Sequence, residues 1–366
     1  WQDRRAGDGG FGLLPRIAWL AAREPEAVER ARWLMTSWDA LGLWLSGTAA
    51  TTVQSHETPL PPAAVRKAGA DPGRIPPPVR VGVGLGGLRP AVALRLGLPP
   101  GTPIVSGVND GTASMLGAGM LDPGDAVDTG GASGGIGIYV DRPLELPGTF
   151  CAPAPIEGLW VVGGAMAATG AALDWLAGPV LGGVRIATLL DEAAAVAPGA
   201  DGLVFLPYLA GERAPIFDDG ARGAFVGLTL AHTRAHLARA VLEAAAFALR
   251  HVAEPVLAAG AAVREMRLAG KPARSELWAR IKADATGFPV ATLAVDETAV
   301  LGAAILAAHG AGLVPDLADA VRGMTHVTRR LEPEPALRAV YDARFATYRA
   351  LYPALRSAAG STVEGW

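Results

Sequence analysis

Gly223–Glu243 reads G-A-F-V-G-L-T-L-A-H-T-R-A-H-L-A-R-A-V-L-E, a glycine-punctuated extended segment running directly into a long alanine-rich helix. Gly223 and Gly227 permit close backbone approach or positive φ. Beyond them Leu237, Ala240, Val241, Ala244, Phe247 and Ala248 recur at helical spacing and would bury one face. The stretch carries almost no chemistry, because most of its residues build core. Its diagnostic value is its spacing: Gly223, Phe225, Gly227 and Leu228, seven unconstrained residues, then His236, Leu237, Ala240, Val241, Leu242 and Glu243.

On either side of this segment the chain alternates between short apolar runs and helical periodicities, which predicts an α/β class. Two helices are expected within residues 14–46, a buried strand at Pro103–Gly107, and a helix through Met115 and Leu116. Asp125–Val140 reads as strand, glycine turn, strand. Later pieces are helices near 166–177 and 185–197, a strand at Leu203–Leu206, the long helix 234–259, a strand ending at Leu268, helices at 274–286 and 297–309, and a closing helix over 335–352. A Ser/Gly tail after Leu355 is expected to be mobile.

At 366 residues and 51% hydrophobic the chain can bury a large core, and its length suggests two domains. A net charge of −3, with both signs interspersed, supplies no basic face for nucleic acid and no polybasic membrane patch. No apolar run reaches the roughly 20 residues that span a bilayer, and no secretory leader is read. Cys151 is the single cysteine, so no intrachain disulfide can form, and a reducing cytoplasm is the expected location. The histidines show no second ligand at metal spacing and are read as non-catalytic; no residue is assigned to a metal.

The spacing within Gly223–Glu243 resembles the second signature of the FGGY carbohydrate kinases. L-L-P-R-I-A-W-L (Leu13–Leu20) resembles their first signature, with Arg16 for the usual lysine, and W-Q-D-R-R at Trp1 resembles a W-x-D-x-R segment that lies well inside their first domain. The resemblance implies two actin-like (ribonuclease H-like) domains with a central cleft: an N-terminal domain over 1–124, its start missing from this chain, and a C-terminal, nucleotide-binding domain over 125–366. Asp-x-Gly-Thr, the family's first phosphate loop, occurs nowhere here. The first signature also follows Trp1 sooner than the family pattern leads one to expect, so either residues are absent around Asp8–Gly10 or the chain carries a deletion there.

S-G-V-N-D-G-T-A-S-M-L-G-A-G (Ser106–Gly119) is similar to the sugar-kinase segment whose aspartate accepts the proton of the attacked hydroxyl. Asp110 is accordingly the expected general base and a substrate contact; read from residues alone, it could instead cap the following helix. Asn109 either contacts sugar or shapes the turn. Within D-T-G-G-A-S-G-G, the residues Gly130, Gly131, Ala132 and Ser133 fall at the family's second phosphate loop, where a glycine turn can aim backbone N–H groups at an anion. Ala132 stands where threonine is usual, with Thr129 or Ser133 as substitutes for its hydroxyl. L-A-G-K-P-A-R-S-E-L-W (Leu268–Trp278) falls at the adenosine loop, retaining Gly270 and Ala273 but placing Lys271 and Pro272 where glycines are usual. Gly270, Lys271, Ala273 and Ser275 complete the ATP-binding set, with a cap as the plainer role for Ser275. Lys271 would either obstruct adenine or pair with a phosphate. In L-P-Y-L-A-G-E-R-A-P-I-F-D (Leu206–Asp218), similar to the xylulokinase form of a loop on the nucleotide side, Glu212 and Arg213 read as an ion pair, or Arg213 as a phosphate contact. Gly302 and Ala303, in E-T-A-V-L-G-A-A, would permit close helix packing.

The implied activity is ATP- and Mg2+-dependent phosphorylation of a terminal ketose hydroxyl, with D-xylulose first in the xylulokinase-like branch. Gluconate, ribulose and glycerol kinase are rivals, N-D-G lying near the gluconate kinase pattern. A sugar- or nucleotide-binding pseudokinase is a rival of another class. Expected partners are sugar and ATP, not nucleic acid or membrane, and a homodimer is left open.

Overall fold

The computed structural model describes residues 13–54 and 59–359. The W-x-D-x-R segment, Asp8–Gly10 and residues beyond 359 lie outside the described residues. Three helices, Leu13–Arg23, Pro25–Arg30 and Ser37–Ser46, occupy the stretch where two were expected. Pro25 begins the second at its first position, where the missing N–H costs nothing, and the Thr36 hydroxyl caps the third by accepting the Asp39 N–H. Leu13, Leu14, Ile17, Val28, Leu34 and Val65 form the core of this region.

The main sheet has seven strands: β1 (Asp125–Asp128), β2 (Gly135–Val140), β3 (Phe150–Pro153), β4 (Trp160–Ala165), β5 (Glu265–Leu268), β6 (Val290–Leu293) and β7 (Val327–Leu331), in spatial order β7-β6-β5-β1-β2-β4-β3. β1, β5 and β6 run parallel, whereas β2, β3, β4 and β7 pair antiparallel with their neighbours. Asp128 at the end of β1 is the register partner of Leu268 at the end of β5. The loops that follow these two strands therefore emerge side by side, at the carboxyl edge where open α/β sheets place ligands.

Five helices position that edge: α1 (Asp110–Gly117), α2 (Arg234–Ala258), α3 (Glu276–Thr286), α4 (Thr298–Gly310) and α5 (Arg338–Ala359). α2 opens with the Thr233 N–H donating to His236 Nδ1 at 3.2 Å, so His236 serves a helix start. Instead of burying one face, α2 is buried on all sides from Ala238 to Leu249, packed among β2, β4, α3 and α5. Each fully buried leucine or valine along it contributes about 1.5–3 kcal/mol. Arg239 and Glu243, one turn apart, are both buried with hydrogen-bond partners, and burial pushes the Glu243 carboxyl up, with Arg239 opposing. Arg239 Nε donates to Glu243 Oε1 at 2.8 Å, and Glu243 also accepts the Gly199 N–H while Arg239 reaches the Tyr341 hydroxyl. α5 continues to Ala359, past the Leu355 at which a mobile tail was expected.

α1 packs antiparallel on α4 at a distance that only glycine allows. A Cβ on Gly117 would lie 1.9 Å from the Thr298 carbonyl oxygen, and one on Gly302 1.8 Å from that of Ala113. Ser114 and Thr298 share a 2.6 Å hydroxyl contact at this crossing. Ala303, expected to help here, is exposed.

Candidate active site

The turn from β1 to β2 holds the second phosphate-loop sequence. Gly131, Ala132 and Ser133 are exposed at its tip, while Gly130 and Gly134 are buried at its base. Gly130 has φ +60°, and a Cβ there would fall 2.1 Å from the Ala269 carbonyl oxygen, so a glycine is obligatory. Three buried groups brace this loop from behind. Asp128 Oδ1 accepts the Gly130 N–H at 3.0 Å. The Thr169 hydroxyl donates to the Ser133 carbonyl at 3.0 Å, and the Thr169 and Ala171 N–H groups both reach the Ala132 carbonyl. The Met166 N–H donates to the Gly134 carbonyl at 3.2 Å, and Glu212 Oε1 holds the adjacent Ala167 N–H at 2.8 Å. Thr129 Oγ1 faces the loop's own Gly135 carbonyl at 3.4 Å. Ser133 is thus the exposed hydroxyl at the tip, next to the alanine that replaces the usual threonine.

Gly270 follows β5 and touches the first loop: a Cβ on it would sit 3.4 Å from the Gly131 nitrogen. Its N–H donates to the Asp296 carbonyl at 2.8 Å, just before α4. Lys271–Arg274 form one 3-10 turn closed by the Ala273 N–H on the Gly270 carbonyl, and Pro272 fits because its position in the first turn needs no donor. Ser275 caps α3, accepting the Trp278 N–H at 3.2 Å, and Lys271 is exposed at the rim. Gly130, Gly131 and Gly270 are therefore in contact, with Ala132 and Ser133 at one end of the pair of loops and Lys271, Ala273 and Ser275 at the other.

Asp110 does not cap α1. The cap is Asn109, whose Oδ1 accepts the Thr112 N–H at 2.9 Å and whose Nδ2 reaches Thr112 Oγ1 at 3.1 Å. Asp110 is the first helical residue, exposed, with Oδ1 accepting the Gly111 N–H at 2.8 Å and Oδ2 open. The antiparallel crossing of α1 with α4 sets Asp110 toward the far end of α4 from Asp296 and the Gly270 loop. Gln54 approaches from the N-terminal region, its Nε2 3.4 Å from Thr112 Oγ1.

Glu212 and Arg213 are not the ion pair expected. Glu212 accepts backbone N–H groups of Ala167 and Arg213, and the Arg213 guanidinium donates to the Met166 carbonyl. Both side chains still hold their loop, by tying it to the backbone after β4. Burial pushes the Glu212 carboxyl up to about 7, with the two N–H donors and Arg213 opposing.

Two residues were missed from the sequence. Asp128 looks like an interior strand position, and Lys282 like a polar position on α3. In the fold they form a buried ion pair beneath the β1–β2 loop, with Lys282 Nζ 4.8 Å from the Trp278 ring centre. Asp128, Gly130, Thr169, Pro272, Trp278 and Lys282 are among the residues around a small cavity there, and the buried Trp278 Nε1 has no acceptor among the described residues. The one available hint was charge: an aspartate that ends a short strand, D-A-V-D (Asp125–Asp128), needs a partner once buried. Among the described residues, no group of three or more His, Cys, Asp or Glu could hold a metal ion, and no helix is long and apolar enough to cross a membrane.

Two glycine loops thus lie side by side at the ends of parallel strands, and the Asp110 carboxylate lies across an interhelical crossing from them. Residues 129–311 match the C-terminal domain of the FGGY family of carbohydrate kinases. The crystal structure of xylulose kinase from Rhodospirillum rubrum superposes with a TM-score of 0.82 at 33% identity, covering 94% of this chain and 72% of that one. This chain belongs to the FGGY family, with its α/β actin-like fold. Among curated relatives, gluconokinase of Bacillus subtilis is 34% identical over 67% of this chain and 50% of its own length. Xylulose kinase of the same organism is 28% identical over 94% of this chain and 71% of its own length. The chain spans about half the length of the gluconokinases it matches.

Proposed function

We propose that this chain is the larger part of an ATP-dependent sugar kinase that phosphorylates a terminal ketose hydroxyl, with D-xylulose as first candidate. The observation that carries the reading is the exposed carboxylate of Asp110 beside a cap already supplied by Asn109: one oxygen accepts the Gly111 N–H, and the other is left for a substrate hydroxyl. In this reading Asp110 accepts the proton of the attacked hydroxyl and aims it at the γ-phosphate, since phosphoryl transfer asks mainly for positioning. The exposed Gly131–Ser133 tip receives phosphates through backbone N–H groups, and the Gly270 turn faces adenosine. Asn109, with its amide committed to Thr112, shapes the turn more than it binds sugar. Mg2+ would arrive with the nucleotide and offset charge on its phosphates, and the exposed Asp110 carboxylate is the residue that would hold its water shell. Xylulose is preferred because the xylulose kinase relative aligns over more of this chain than the gluconokinase does. The division into domains near residue 124 and a cytoplasmic location belong to the same proposal.

Asp110→Asn in the full-length protein should lower kcat by on the order of 10²–10⁴ while sparing ATP binding. Near-normal turnover would remove Asp110 from the chemistry. The pseudokinase reading draws on Ala132, Lys271 and Pro272. It predicts ATP binding without phosphorylation of D-xylulose, gluconate, ribulose or glycerol, so one substrate panel separates the two.

A further inference from the structure

Asp128 and Lys282 are 3% exposed each and paired beneath a loop whose tip is open. A buried ion pair is a poor source of stability, because desolvating two charges offsets most of their attraction. Its placement is the informative feature. One carboxylate oxygen of Asp128 receives the Gly130 N–H, fixing the base of the phosphate loop. The other meets Lys282 on α3, which begins at Glu276 with Ser275 as its cap, directly after the turn that follows Gly270. The pair therefore joins the strand that feeds one loop to the helix that leaves the other. Electrostatics sets a further condition: an uncompensated carboxylate beneath the loop would repel the nucleotide phosphates arriving above it, with little water between to screen them.

We propose that Asp128 and Lys282 are a positioning pair for the nucleotide: Asp128 holds the Gly130 N–H, and Lys282 cancels its charge so that the loop accepts a polyanion. This rests on the ATP-dependent reading above. It separates two things one carboxylate does here, accepting a hydrogen bond, which asparagine can imitate, and carrying charge, which it cannot.

The test is calorimetric titration of ATP and of adenosine into the full-length protein and three variants, each checked for folding by thermal unfolding. Lys282→Met should weaken ATP by on the order of tenfold more than adenosine, because only ATP carries the charge that Asp128 repels. Asp128→Asn keeps an acceptor for Gly130 and leaves a cation below the loop, so ATP should bind at least as tightly relative to adenosine as in the wild type. The Asp128→Asn/Lys282→Met double variant should return the ATP-to-adenosine ratio to within about threefold of wild type, the pair being removed as a unit. Equal losses for ATP and adenosine in Lys282→Met, or no recovery in the double variant, overturn the proposal and leave the ATP reading standing. A wild type that binds neither ligand overturns both. Should Lys282→Met not fold, the ratio in Asp128→Asn against the double variant decides: tighter ATP in the double variant overturns the proposal.

Discussion

The loop after β1 and the loop after β5 leave neighbouring parallel strands at the same level and touch at Gly131 and Gly270, yet they are held in opposite ways. The first is anchored from inside, by Asp128 with Lys282, by Thr169, and by Glu212 through the backbone after β4. The second is anchored at the surface, where Arg274 pairs with Asp296 while 67% exposed, and by backbone bonds to Asp296 and within its own turn. An exposed pair of this kind contributes little, because water screens it. A loop braced by buried groups tolerates little change in side chain, whereas one held at its rim can carry Lys271 and Pro272. The sequence departures from the family pattern follow this difference: the tightly braced loop departs at its exposed tip, Ala132, and the rim-held loop departs within its turn.

The sharpest way to break the comparison is Gly130→Ala. The new Cβ would need to share space with the Ala269 carbonyl in a backbone region that alanine avoids. A loss of about 3 kcal/mol or more in unfolding free energy is expected, together with loss of ATP binding. Denaturant unfolding measures it, and a change below about 1 kcal/mol would mean that the two loops separate more easily than their contact suggests.

Glu212 gives the inner bracing a pH dependence that the rim lacks. Its folded value is raised to about 7 from 4.5, so the folded protein keeps a proton that the unfolded chain has lost between those values. The stability it contributes is full below about 4.5 and is lost as pH rises through about 7. Glu212→Gln keeps a neutral acceptor for the Ala167 or Arg213 N–H and removes the titration. The stability difference, variant minus wild type, should therefore rise between pH 4.5 and 7, by at most about 3 kcal/mol. Unfolding curves across that range test the sign; a flat difference would show that the carboxyl stays ionised throughout.

Much of this was legible beforehand, and what was not shares one cause. The helix expected over 234–259 is observed at Arg234–Ala258, and the Asp125–Val140 hairpin at β1 and β2, because periodicity and glycine turns are local signals. Asp128 and Lys282 stand 154 residues apart, and no local pattern joins them. The supposed Glu212–Arg213 pair failed for the same reason: adjacency in sequence suggested a bond, but both side chains found partners in the backbone after β4. Ala303 was misjudged by one position, since a helix turns neighbouring residues to different faces and, of the two, Gly302 meets α1. The second signature was legible as spacing but silent as chemistry. His236 starts a helix and Glu243 accepts a hydrogen bond from Arg239, so the signature specifies the support on which the loops stand.

The smallest expected effect belongs to the rim. Lys271 is exposed at the start of the 3-10 turn, and among the described residues no carboxylate pairs with it, so its ammonium is free to meet a phosphate approaching the Gly131–Ser133 tip. Lys271→Gly is expected to weaken ATP by roughly two- to fivefold at low salt and to leave adenosine unchanged, the loss fading as ionic strength shortens the range of the interaction. Pro272→Gly should act on both ligands alike and by less than about twofold, since proline there only stiffens a turn whose backbone bonds remain. Titration of ATP and adenosine at low and high salt distinguishes these contributions. Tighter binding of both ligands in Lys271→Gly would reverse the assignment, making the lysine an obstruction to adenine, and a loss that persists at high salt would place its role in shaping the turn.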